Sequence, residues 1–210
     1  MRNYKIHFIR QGLTDANIEG RYIGRTDEPL SESGFQQLEY LMENCSYPFV
    51  SKVYCSPLLR CEQTAEIIYP TTEIKMVNEL IEMDMGDFEG CTAEELTDNE
   101  AYKKWLKDAI NNPPPNGEDA EAFLLRLVGG IREIVADMMQ NSIFEAAIIT
   151  HGGAIMTLLS AMGLPKAPME HWQCPAGGGF TVYVTAAMWM RDNAFEVSDF
   201  VPHGIELLID

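Results

Sequence analysis

Tyr4-Lys5-Ile6-His7-Phe8-Ile9-Arg10-Gln11-Gly12-Leu13-Thr14 is an apolar run that stops at an arginine and a glycine. A second run, Ala146-Ala147-Ile148-Ile149, stops in a similar way at Thr150-His151-Gly152-Gly153. Short apolar runs closed by glycine-containing turns predict buried strands of a parallel sheet. Ligands in such sheets bind beyond the carboxyl ends of the strands. The two endings differ in one respect: position 151 is histidine and position 11 is glutamine.

Outward from these two runs, strand and helix patterns alternate. This predicts an α/β fold, a mostly parallel central sheet with helices on both faces. Residues 4–10 form the first strand, and a loop runs on to residue 30. Ser31 opens a helix whose Phe35, Leu38, Leu41 and Met42 follow helical spacing. A second strand covers residues 52–56, and Ser56-Pro57 is expected to supply the N-cap and first position of a helix to residue 69. A short strand at 73–77 precedes an acidic loop at 79–90. Thr92-x-x-Glu95 has capping-box spacing, and a helix at 102–111 is stopped by Pro113-Pro114-Pro115. A long helix spans 118–140 through Gly129-Gly130. The strand at 145–150 is the most hydrophobic and is expected at the sheet centre. A helix at 153–162 follows, then strands at 180–184 and 195–200 flanking a turn at Asp192-Asn193. No repeat or linker divides the chain. One domain over residues 1–210 is expected, with a cap insertion at about 79–116 over the C-terminal edge of the sheet.

With 210 residues and 46% hydrophobic content, the chain is long enough to bury a full core. Its net charge of −17 argues against nucleic acid, which demands clustered Lys and Arg, and against anionic membrane surfaces. No apolar stretch is long enough to span a bilayer, and the N-terminus runs directly into a strand pattern. Five cysteines without CxxC or Cys/His spacing read as buried thiols of a reducing, cytoplasmic setting rather than disulfides or metal ligands. Cys61 stands next to an arginine, but a reactive role is not expected. The partner expected is a phosphorylated small molecule, bound by a monomer or homodimer.

An acidic chain that binds an anion must concentrate its few cations. Arg10 closes a strand and is costly to bury without an anionic partner. Arg60 sits in the first turn of the helix after Ser56, where the helix dipole disfavours a cation unless an anion lies nearby. A surface pairing with Glu62 or Glu66 is the alternative. Arginine's planar fork suits phosphate oxygens. Arg21 and Arg25 fit either a phosphate pocket or loop surface charges. Strand ends leading into helix N-termini at Gly152 and beyond residue 56 add free N–H groups. Glu82, Asp84 and Glu89 lie in the acidic loop, and a carboxylate with a raised pKa beside a phosphate can protonate a leaving alcohol.

These residues carry a resemblance to the histidine phosphatase superfamily, in the branch of phosphoglycerate mutases and small phosphatases. Arg10-Gln11-Gly12-Leu13-Thr14-Asp15-Ala16-Asn17 resembles the family's Arg-His-Gly-x-Thr-x-x-Asn signature. Ser56-Pro57-Leu58-Leu59-Arg60-Cys61-Glu62-Gln63-Thr64-Ala65 is similar to its Ser-Pro-Leu-x-Arg-x-x-Gln-Thr-Ala element. Residues 82–90 resemble its acid loop, Pro115-Asn116-Gly117-Glu118 with Phe123 and Arg126 a further segment, and Thr150-His151-Gly152-Gly153 its second-histidine motif. The resemblance implies a covalent phosphohistidine mechanism without a metal or other cofactor. Arg10, Arg60 and His151 would bind the transferring phosphate, with Thr14, Asn17, Arg21 and Gly152 shaping its loop, and Glu82 would be the acid. It also implies a phosphatase rather than a mutase, because a mutase usually carries longer capping insertions. The stretch Gly24-Arg25-Thr26-Asp27-x-Pro29-Leu30 is similar to small bacterial phosphatases, including those acting on the nucleotide-loop precursor of cobalamin.

The nucleophile position, Gln11, departs from the pattern. A glutamine amide can hydrogen-bond phosphate but is no useful nucleophile, and losing a covalent nucleophile lowers turnover by about 10⁴ to 10⁶, or roughly 5–8 kcal/mol of barrier. His7 lies about 13 Å upstream along the strand and reads as a strand histidine. His171 and His203 sit at no strand-end motif. Three accounts of Gln11 stay open: a recent or deliberate His-to-Gln change in an ordinary phosphatase, a pseudoenzyme that senses or docks a phosphorylated ligand, and an enzyme re-routed through His151 or water.

Overall fold

The computed structural model describes residues 3–205. In chain order its elements are β1 (Asn3–Arg10), α1 (Asp15–Ile18), α2 (Glu32–Asn44), β2 (Lys52–Cys55), α3 (Leu59–Ile68), β3 (Ile74–Met76), α4 (Glu100–Lys107), α5 (Ala120–Asn141), β4 (Glu145–Thr150), α6 (Gly152–Met162), β5 (Gly163–Leu164), β6 (Gly179–Thr185), α7 (Ala186–Asp192) and β7 (Phe195–Val201).

The strands form a seven-stranded sheet in the order β3-β2-β4-β1-β6-β7-β5. The pairs β1–β4, β2–β4, β2–β3 and β5–β7 are parallel, whereas β6 runs antiparallel to both β1 and β7. The expected mostly parallel α/β sheet is present, with β6 as an antiparallel strand within it. The central place belongs to β1, with β4 beside it; β4 is apolar because helices cover it on both sides. On one face, Phe123, Leu127, Ile131 and Ile134 of α5 and Ile155, Leu158 and Leu159 of α6 pack on Ile6, Phe8, Ile148 and Val182. On the other, Leu38 of α2 and Cys61, Ala65 and Ile68 of α3 pack on Ile9, Val53, Ala147 and Ile149.

Several local expectations are corrected. Ser56 does not cap α3: the N-cap is Leu58, and the Asp27 carboxylate accepts the Leu59 N–H at 2.7 Å in its stead. Thr92 and Glu95 do exchange the two hydrogen bonds of a capping box, but the segment continues as turns and not as a helix. The helix at 102–111 is α4, which starts at Asn99's cap and ends at Lys107, because the Asp108 carboxylate takes the Asn111 N–H and folds the chain into a turn. The turn expected between the last two strands holds α7, capped by Thr185, with left-handed Asn193 at its end. The long helix α5 runs unbroken through Gly129-Gly130; a Cβ at Gly130 would lie 2.6 Å from Glu79 Cβ, so this glycine lets α5 approach the 3-10 turn Asn78–Leu80.

Residues between β3 and α5 build a small aromatic cluster of their own. Met85, Phe88, Leu96 and Tyr102 pack with Tyr22 and Trp105, and the Tyr22 and Tyr102 hydroxyls meet at 2.7 Å. Cys55, Cys61 and Cys174 are buried while Cys45 and Cys91 are only half-buried, which corrects the expectation that all five are interior thiols. No helix among the described residues is long and apolar enough to cross a membrane.

Candidate active site

The sheet register brings the sequence motifs together. Arg10 pairs with Thr150 at the carboxyl ends of β1 and β4, and the Gln11 N–H donates to the Thr150 carbonyl at 2.9 Å. The Ser56 N–H donates to the Ile149 carbonyl. Gln11, Ser56 and His151 thus leave three adjacent parallel strands at one edge, where α6 and α3 begin. Arg10, Gln11, Asn17, Arg21, Arg60, Glu82, His151 and Gly152 line a single cavity of about 200 Å³ there. Thr14 does not line it. Its fully buried hydroxyl accepts the Asn17 N–H as N-cap of α1 while Asn17 Oδ1 accepts the Thr14 N–H, so Thr14 fixes Asn17 and touches no ligand space.

Two arginines are held as a phosphate site would need. Arg60 is 1% exposed, and its Nη1 and Nη2 donate to the Thr26 and Gly24 carbonyls at 2.7 Å. Those bonds fix its fork without neutralising it, and no ion pair to Glu62 or Glu66 forms. Arg10 donates Nη1 to the Cys174 carbonyl at 2.8 Å, and its buried Nε has no partner. Arg21 differs. Its guanidinium is engaged by Glu19, Glu95 and the Gly90 carbonyl, and these carboxylates raise its pKa. It is chiefly a tie between the first loop and the acid loop. Arg25 lies outside the cavity, 3.5 Å from Asp84 and Glu118, and is a loop surface charge.

Glu82 lines the same cavity as the two arginines. Its Oε1 accepts the Met83 N–H and its Oε2 the Gly153 N–H, both at 2.9 Å. Burial pushes its pKa up against the opposing pull of these two amides and of Arg60 and Arg10. A Cβ on residue 153 would come within 2.7 Å of that carboxylate, so glycine is required beside it.

His151 is 1% exposed, and its Nε2 lies 2.8 Å from Ser56 Oγ and 3.5 Å from Cys61 Sγ. Burial first, then Arg60, Arg126 and Arg10, hold its pKa well below the ordinary histidine value, so the ring is neutral at pH 7. Cys61 is no nucleophile: burial pushes its thiol up to about 12. His7 is the strand histidine expected, bonded to Thr181 and Glu145 away from the cavity. Gln11 is 4% exposed and its Oε1 has no partner. Unpaired buried polar atoms are uncommon and concentrate where function tolerates their cost.

Several motif residues have partners that the sequence pattern did not reveal. Glu89 accepts the N–H groups of Gly24 and Arg25 and the Thr26 hydroxyl. Arg126 grips Glu118 with two bonds and donates to the carbonyls of Glu79, Ile81 and Glu82. Thr64 Oγ1 accepts the Gly12 N–H and donates to the Arg60 carbonyl, tying the first loop to α3. Most of these contacts join residues 44 to 65 positions apart, a separation at which sequence pattern does not reveal partners.

Residues 6–187 match the histidine phosphatase superfamily (branch 1). The chain belongs to that superfamily. It is 31% identical over 179 residues to an adenosylcobalamin/alpha-ribazole phosphatase of Salmonella typhimurium, covering 82% of this chain and 87% of that one. The alpha-ribazole phosphatase of Shigella flexneri superposes with a TM-score of 0.76 at 26% identity, over 92% of this chain and 94% of that chain. A phosphoglycerate mutase of Bacillus anthracis shares the fold, with a TM-score of 0.77 at 19% identity over 94% of this chain and 92% of that one.

Proposed function

We propose that this superfamily member binds a phosphorylated small molecule between Arg10, Arg60 and His151, and that phosphoryl transfer there is impaired because Gln11 occupies the position of the attacking histidine. The observation that carries this reading is the joint lining of one cavity by Gln11, both arginines, His151 and Glu82. The arginines neutralise the phosphate oxygens, and a neutral His151 hydrogen-bonds the same group. Glu82, whose pKa burial raises, faces the leaving oxygen as its proton donor. Gln11 contributes a donor and an acceptor but no nucleophilic lone pair. Phosphatase relatives favour hydrolysis by descent. A chain re-routed through His151 is less well supported, since the ring's Nε2 is engaged by Ser56 and its burial leaves little room to turn.

The test compares this chain with Gln11→His. Inorganic phosphate should bind both in calorimetry. With p-nitrophenyl phosphate the Gln11→His variant should turn over at least about 10⁴-fold faster and form an acid-labile phosphohistidine. Equal turnover of the two would refute the missing-nucleophile reading, and failure of both to bind phosphate would remove the site itself.

A further inference from the structure

A second cavity of about 880 Å³ opens beside the first. The two share Tyr22, Ile23, Glu82 and Gly153, so the general acid stands at their junction. An ester oxygen protonated by Glu82 has phosphorus on the cationic side and its carbon on the other. The larger chamber therefore receives the alcohol half of whatever phosphate ester the small one holds.

Its walls state what that alcohol is. Met83, Met85, Trp105, Phe123, Met156 and Met169 give it a sulfur-rich, aromatic surface, and the Thr157 and Ser160 hydroxyls add polar points. Methionine and aromatic walls adapt to bulky apolar shapes. Beside the acid Glu82, Glu121 brings a carboxylate to the lining, and no Lys or Arg is among the lining residues. A carboxylate or second phosphate placed there would meet like charge without a compensating cation.

We propose that the ligand is a phosphomonoester whose alcohol half is bulky, uncharged and largely apolar, and whose phosphate is its one anionic group. This rests on the phosphate-site reading above and narrows it to a substrate class. Small polar alcohols leave most of the chamber to water, and carboxylate-bearing phosphates such as phosphoserine are disfavoured.

Because Gln11 slows turnover, binding is measurable at equilibrium on the chain as it stands. Calorimetry with 2-naphthyl phosphate, inorganic phosphate and phosphoserine should show the naphthyl ester binding at least about 10-fold more tightly than inorganic phosphate, since it buries apolar area that phosphate lacks. Phosphoserine should bind no more tightly than inorganic phosphate. Met169→Lys, at a residue 42% exposed on the lining, should erode the naphthyl preference and strengthen phosphoserine binding. If inorganic phosphate binds but the naphthyl ester gains nothing, the substrate class falls while the phosphate site stands. If no phosphate binds, both fall. Naphthyl binding unchanged in Arg60→Ala would place the ester elsewhere and overturn the proposal.

Discussion

Glu89 and Arg60 both grip the segment 24–26, Glu89 through Gly24, Arg25 and Thr26, and Arg60 through Gly24 and Thr26. Glu89 Oε1 accepts the N–H groups of Gly24 and Arg25 at 2.9 and 2.8 Å, and Arg60 donates to the carbonyls of Gly24 and Thr26 at 2.7 Å. A Cβ at Gly24 would overlap the Met83 carbonyl oxygen at 1.9 Å, so the segment 24–26 is pressed between the acid loop and α3. In the proposed phosphate site Glu89 would act through this segment and Arg60.

Glu89→Ala should therefore weaken inorganic phosphate binding on the order of 10-fold, because loss of charge-assisted hydrogen bonds frees the carbonyls that aim Arg60. In an Arg60→Ala background the same change should cost no further affinity, although both proteins lose thermal stability. Additive losses in calorimetry would show that Glu89 does not act through Arg60.

The residues that touch the cavity were legible because each lies within a few positions of a strand end: Arg10, Gln11 and His151 by the apolar runs before them, Arg60 by its odd place in a helix start. Glu82 stood out as one of several carboxylates in a glycine-containing loop. What was hidden is how distant segments support them. Ser56 reads as a helix cap from its neighbour Pro57, but tertiary packing assigns its hydroxyl to His151, and Asp27 from another loop caps α3. Arg21 reads as either a phosphate ligand or a loop charge; it lines the cavity and is also held by Glu19 and Glu95. The capping box at Thr92 forms its two bonds, yet the residues after it continue as turns even though Leu96 packs into the aromatic cluster. Local chemistry is visible in sequence; which partner wins a polar group is decided by the fold.

The raised pKa of Glu82 fixes the sign of a pH effect in Gln11→His. In the proposed mechanism Glu82 works as a protonated acid, so kcat should fall as pH rises through its folded-state pKa. Glu82→Gln in that background should lower kcat roughly 10²–10⁴-fold for alkyl phosphates and remove this alkaline limb. With p-nitrophenyl phosphate, whose leaving group needs little protonation, the loss should be smaller. Retention of the alkaline limb in Glu82→Gln would assign the titration to another group.

Two buried histidines predict acid lability. The folded pKa values of His7 and His151 are both lowered, mainly by burial. Unfolding lets them take up protons, so their contribution is present above the ordinary histidine pKa and is lost as pH falls through it. Where both stay neutral in the folded protein, the slope reaches about 2.7 kcal/mol per pH unit, one proton each. Denaturant melts between pH 7 and 5 should show falling midpoints, and His151→Asn should flatten the decline. An unchanged slope in that variant would mean His151 is already charged when folded.

The pair of Arg126 and Glu118 carries the last prediction. Arg126 Nε and Nη2 meet the two Glu118 oxygens at 2.9 and 2.7 Å, and Nη1 donates to the Glu79 and Ile81 carbonyls at 2.8 Å each. With side chains 22% and 11% exposed, the pair is largely desolvated, and removing Arg126 leaves Glu118 only the longer contact to Arg25 at 3.5 Å. Arg126→Met should cost about 3 kcal/mol, the lower end for a broken buried pair. The double variant with Glu118→Met should cost less than the sum of the two single changes, because it leaves no unpaired charge. Arg126 also depresses the His151 pKa through space, so Arg126→Met should move that pKa upward in an NMR titration. A fully additive double variant together with an unmoved His151 would show that the clamp neither couples to Glu118 nor reaches the site.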